Sequence, residues 1–122
     1  MSLKEEFRQV LGYTEVLSTA LLEVFRKRAA ITFSIRYEFK QSFLRYLTAV
    51  EALYTVLLPS LRPPDVKGEL ERIRRSEPSL DSIERLDKVV EMILQRLDRA
   101  GILVRKDVLL VGSYADSEQG YP

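Results

Sequence analysis

The fold turns on Ile31-Thr32-Phe33-Ser34-Ile35-Arg36-Tyr37-Glu38-Phe39-Lys40. Read by twos, Ile31, Phe33, Ile35, Tyr37 and Phe39 alternate with polar partners, the signature of a half-buried strand in β-branched and aromatic residues. Read at 3.6 residues per turn, Ile31, Ile35, Phe39, Phe43, Tyr46, Val50, Leu53 and Leu57 form one continuous apolar stripe. The second reading is preferred. The stretch lies inside a run, Tyr13 to Leu58, that contains no Gly, Pro, Asn or Asp, so no turn residue flanks the supposed strand. The stripe also continues in phase from Phe25 through Ile35 to Leu57.

Upstream, Ser2 and Glu5 have capping-box spacing, which predicts a helix starting near Leu3. Leu3, Phe7, Val10, Thr14, Leu17, Leu21, Val24 and Phe25 share its apolar face, with Gly12 inside the pattern. One unbroken helix from Leu3 to Leu58 would be about 84 Å long. A compact chain of this size has a radius of gyration near ~14 Å. The rod therefore either folds back or is buried by a second copy. Fold-back is expected near Arg26–Ala30, where Arg28 interrupts the stripe.

Downstream, Pro59, Pro63 and Pro64 end the run, and Asp65 reads as the N-cap of a short helix from Val66 to Ser76 that Pro78 closes. The last helix, residues 82–100, has capping-box spacing at Asp81 and Glu84. Its apolar face holds Ile83, Leu86, Val89, Val90, Ile93, Leu94 and Leu97, and Gly101 stands as its C′ residue. Ile102 to Val111, two apolar runs around Arg105-Lys106-Asp107, reads as a β-hairpin, and 113–122 as a flexible tail. The expected fold is mainly α: one domain over residues 1–112, a bundle of about four helices with a small C-terminal hairpin. The alternative is an α+β, winged-helix-like fold with Ile31–Phe39 as a strand.

Composition bounds the function. The chain has 122 residues, 46% apolar and 30% charged, with a net charge of +1. That balance argues against coating nucleic acid by bulk electrostatics. Cys and His are both absent, which removes thiol nucleophiles and the commonest general base and metal ligand. No catalytic motif, metal site, cofactor site or small-molecule site is indicated, and the chain is expected not to be an enzyme. The absence of Asn and the excess of Arg over Lys lean toward a thermophilic source. The acidic N-terminus does not resemble a signal peptide, and the most apolar window, Tyr46 to Leu58, is too short to span a bilayer. A cytoplasmic protein without a membrane role is expected.

The last helix separates its charges: Glu84, Asp87, Glu91 and Asp98 on one flank, and Arg85, Lys88, Arg96 and Arg99, with Met92, on the other. Exposed i,i+4 pairs such as Asp81–Arg85 and Glu84–Lys88 account for much of this. A sharper reading pairs two such helices, acidic flank to basic flank, around a shared apolar seam. The expected function is thus a self-associating interaction or assembly protein, a homodimer or larger. Glu51, the one charge between Arg45 and Arg62, is expected to be partly buried against an Arg, with Arg28 as the partner if the chain folds back.

From Val89 to Val111 the order helix, Gly, strand, basic turn, strand resembles the recognition-helix-plus-wing end of winged helix-turn-helix domains. The resemblance implies DNA-phosphate contact by Arg105 and Lys106, with Arg85, Lys88, Arg96 and Arg99 as further anion contacts, and makes a small DNA-binding protein the alternative function. Residues 82–100 run without the break that precedes the recognition helix in that family. Ile35-Arg36-Tyr37-Glu38-Phe39, with Phe43 and Tyr46-Leu47, resembles a helix of the bundle proteins that partner minimal nucleotidyltransferases. The nuclease members of that group use an Arg…His motif, and this chain lacks His.

Overall fold

The computed structural model describes residues 3–32 and 38–102, with side chains from Tyr13 onward in the first segment. Four α-helices follow one another: α1 Leu3–Thr32, α2 Phe39–Val56, α3 Val66–Arg75 and α4 Leu80–Arg99, with a 3₁₀ turn at Pro59–Leu61 between α2 and α3. No strand occurs among the described residues. Ile31 and Thr32 belong to α1 and Phe39 to α2, so the strand read for Ile31–Phe39 is not formed over those residues. The hairpin of 102–111, apart from Ile102, and the tail of 113–122 lie outside the described residues.

α1 and α2 form an antiparallel helical hairpin. The Tyr13 hydroxyl, about three turns into α1, accepts a hydrogen bond from the Leu58 amide just past the end of α2. Fold-back at Arg26–Ala30 is not what happens: α1 runs through those residues, and the chain reverses between Thr32 and Phe39. The reason α1 continues lies in propensity: Ala29 and Ala30 are the best of helix formers. Arg28 does not break the stripe, because its guanidinium leaves the α1–α2 interface for a partner on α4.

α2 is the element the others share. It buries Phe43, Tyr46, Leu47, Val50 and Leu53, an arc wide enough to meet α1 on one side and α3 and α4 on the other. Leu17, Leu21 and Val24 of α1 and Leu86, Ile93 and Leu97 of α4 join them in one continuous core. Pro59 ends α2 by forcing the residue before it, Leu58, into extended backbone. Asp65 precedes α3 at φ 68°, in the left-handed region, and its side chain makes no capping hydrogen bond. Asp65 thus holds the N-cap position expected of it, with its carbonyl accepting from the Glu69 amide, but its side chain does not cap the helix.

α4 begins two residues before the expected start. Its cap is Ser79, whose Oγ accepts from the Ser82 amide, while Asp81 lies inside the first turn. At the far end, Gly101 takes φ 77°. Its amide donates to the Asp98 carbonyl and that of Ile102 to the Leu97 carbonyl, both at 3.0 Å, which is the Schellman arrangement expected from the sequence. No helix among the described residues is long and apolar enough to cross a membrane.

Candidate functional site

α1 and α4 flank α2 but do not pack against each other: among the described residues, no Cα of one lies within 8 Å of a Cα of the other. Directly packed helices have axes about 8–10 Å apart, and the wider spacing here leaves a groove. One part of it, about 410 Å³, is walled by Phe25, Ala29 and Thr32 of α1 and by Val90, Glu91 and Leu94 of α4. Tyr46 of α2 reaches it from below, and Arg28 and Asp87 line it. A second cavity of about 390 Å³ shares Arg28 and Thr32 and carries the groove on past Ile31, Phe39, Leu80, Ile83 and Glu84.

A closed polar cluster bridges the groove. Arg28 holds Asp87 with two parallel bonds, Nε to Oδ1 at 2.8 Å and Nη2 to Oδ2 at 3.2 Å. The Tyr46 hydroxyl donates to the same Oδ1 at 2.6 Å, and the guanidinium sits 6.0 Å from the Tyr46 ring centroid. Tyr46 is only 2% exposed. Burial, reinforced by its bond to Asp87, pushes its phenol well above the usual tyrosine range. The hydrogen bond to Asp87 likewise raises the Arg28 guanidinium, outweighing the opposing effect of desolvation. Each member is held by another, and a phenol fixed in its neutral form is no base at neutral pH. The cluster is suited to tying three helices together.

Arg28 and Glu51 were expected to meet, and they do not. Arg28 goes to Asp87. Glu51 receives Arg74 of α3, Nη2 to Oε1 at 2.6 Å and Nε to Oε2 at 2.8 Å, and this bond raises the Arg74 guanidinium. The cause is angular. Glu51 stands five residues beyond Tyr46, about 140° around α2, so the two side chains face different neighbours.

The basic residues of α4 are dispersed rather than gathered into a surface. Arg85 pairs with Asp81 at 3.1 Å, and Arg96 donates to the Ser60 carbonyl at 2.7 Å. Lys88 and Arg99 are exposed and without an ionic partner among the described residues. Arg105 and Lys106 lie outside the described residues. The apolar seam that α4 was expected to share with a second copy is used within the subunit: Ile83, Leu86, Val89, Ile93 and Leu97 are all buried in the core. Sequence reasoning missed Asp87 and Tyr46 as a pair. The available signal was Asp87's place on the acidic flank next to the apolar arc, and Tyr46's hydroxyl within a buried stripe, which needs a partner.

Among the described residues, no group of three or more acidic, His or Cys side chains is placed to hold a metal ion. No protein-family model, curated protein or solved structure matches this chain.

Proposed function

We propose that this chain is a non-enzymatic assembly protein that associates with itself through the end of the bundle where α1 begins. The observation that carries the reading is the mismatch between α1 and α2. The end of α2 is level with Tyr13 through the Tyr13–Leu58 hydrogen bond, yet α1 starts at Leu3, about 15 Å of helix earlier. The sequence continues its apolar repeat there, with Leu3, Phe7 and Val10 at helical spacing. At the same junction Val16 and Leu58 are each 50% exposed, each within a turn of the Tyr13 contact. Large apolar side chains grouped at the end of a bundle favour association with a like surface. With the α4 seam buried, this end replaces α4 as the contact between copies.

The Arg28–Asp87–Tyr46 cluster supports the non-enzymatic part of the reading, since its phenol is buried and its carboxylate is already engaged by two donors. Sedimentation of the full chain tests the proposal. A dimer or larger species is expected at concentrations on the order of tens of micromolar, dissociating on dilution by mass action. Val16→Glu and Leu58→Glu should each yield a folded monomer. A wild type that is strictly monomeric, or variants that associate unchanged, would overturn it.

A further inference from the structure

The groove between α1 and α4 carries apolar side chains on both sides of the Arg28–Asp87 bridge in its floor and is acidic along one edge, and no segment of the described chain fills it. We propose that it seats an amphipathic helix of a partner protein, apolar on one face and bearing Lys or Arg along its flank. Three observations converge on that occupant. The first is shape: from Leu80 to Leu94 the groove follows α4 for about 21 Å, the length of about four helical turns, and side chains at i, i+4 and i+7 would fall along it.

The second is its lining. Phe25 and Ala29 face Val90 and Leu94 across one part of the groove, and Leu80, 76% exposed, lines the other. These are anchor sites for apolar side chains. The third is charge. The acidic flank of α4 turns toward the groove: Glu84 and Glu91 line it and have no ionic partner among the described residues. Asp87 is already neutralised by Arg28, and the opposite wall at Ala29 and Thr32 is uncharged. The field over the groove is therefore negative. It attracts a basic helix and repels the phosphates of nucleic acid or of an anionic membrane.

A second copy suits the groove poorly. The basic flank of α4 offers one exposed apolar residue, Met92, and two of its cations, Arg85 and Arg96, are already engaged. One anchor does not fill a groove of four turns.

The test uses the full-length protein and a fluorescent synthetic peptide about four turns long, with Leu at i, i+4 and i+7 and Lys on both flanks. A matched peptide with Glu in place of Lys is the control. Binding is read by anisotropy, and the oligomeric state is measured in parallel. The Lys peptide should bind in the micromolar range and more weakly as salt rises, and the Glu peptide should bind at least about tenfold more weakly. Ala29→Trp, which fills the groove, should abolish binding. Glu84→Lys with Glu91→Lys, two exposed positions whose change leaves the core intact, should weaken it about tenfold or more. No binding of the Lys peptide, equal binding of both peptides, or binding indifferent to the double charge reversal would overturn the proposal. So would a change of oligomeric state in Ala29→Trp, which would assign the groove to contact between copies.

Discussion

Replacing Asp87 by alanine removes the acceptor on which α1, α2 and α4 converge, and the geometry allows the cost to be divided. The Arg28–Asp87 pair is bidentate, but both side chains are 38% exposed. Water screens a pair of that kind, and its contribution is at most about 1 kcal/mol. The Tyr46 hydroxyl is a different case: its residue is 2% exposed, and Asp87 is the acceptor for its proton. An orphaned buried donor costs about 1–3 kcal/mol. Here the lower half of that range applies, because the adjoining groove admits water to the site that Asp87 vacates. The sum for Asp87→Ala is about 2 kcal/mol. Asp87→Asn keeps an amide oxygen for Tyr46 and loses only the charge, so it should cost no more than about 1 kcal/mol. Arg28→Met, which keeps an aliphatic stem in the groove, should cost a similar amount. Urea unfolding followed by far-UV circular dichroism measures all three, with stability read from midpoints at constant slope. The decisive result is the order. If Asn costs as much as Ala, or Ala costs under about 0.5 kcal/mol, the cluster does not hold the helices together and the reasoning fails.

Other outcomes follow from single contacts. The Tyr46 phenol titrates well above the ordinary value of about 10, so the folded state keeps a proton that the unfolded chain releases. Its contribution is complete below about pH 10 and is lost above it, by up to about 1.4 kcal/mol per pH unit. The stability of wild type relative to Tyr46→Phe should fall over that window, and a difference constant with pH refutes the assignment. Gly101 and Asp65 both have positive φ and should respond in opposite directions. Gly101→Ala meets no steric neighbour and should cost about 1 kcal/mol through backbone strain alone, whereas Asp65→Gly should stabilise by about 0.5–1 kcal/mol. Thermal melts of the two variants, shifted oppositely from wild type, check the pair.

The parts of the fold legible in the sequence are those written in local chemistry. Gly101 and Ile102 announced the end of α4, prolines 59, 63 and 64 announced the end of α2, and the apolar spacing of α4 identified its buried face apart from the half-buried Leu94 and the buried Ser82. What misled was the alternation around Ile31. Its two periods offer strand or one continuous helix, while Ile31 and Thr32 end α1 and Phe39 opens α2. The expected break at Arg28 failed for another reason. A charge inside an apolar stripe interrupts a helix only if it has no partner, and Asp87, 59 positions along the chain, supplies one. Partners of that kind depend on how helices rotate against one another, which no local pattern records.

The charge split of α4 is in part the exposed i,i+4 pairing its spacing suggests, with Arg85 on Asp81. Pairing two α4 helices requires their apolar seam to be free, and the seam is consumed by α2, α3 and the 3₁₀ turn. The flanks then separate into different settings. The basic side turns outward, tied in part to Asp81 and the Ser60 carbonyl, and the acidic side faces α1 across a groove bridged by Asp87. An acidic flank that served only solubility would gain nothing from lining an apolar groove, where its repulsion is least screened. It gains a function if an oppositely charged helix lies there. Val16, at the proposed contact between copies, and Ala29, in the groove, are about 20 Å apart along α1. A partner helix can therefore be held without competing with self-association, and Val16→Glu should abolish dimers while leaving peptide binding intact.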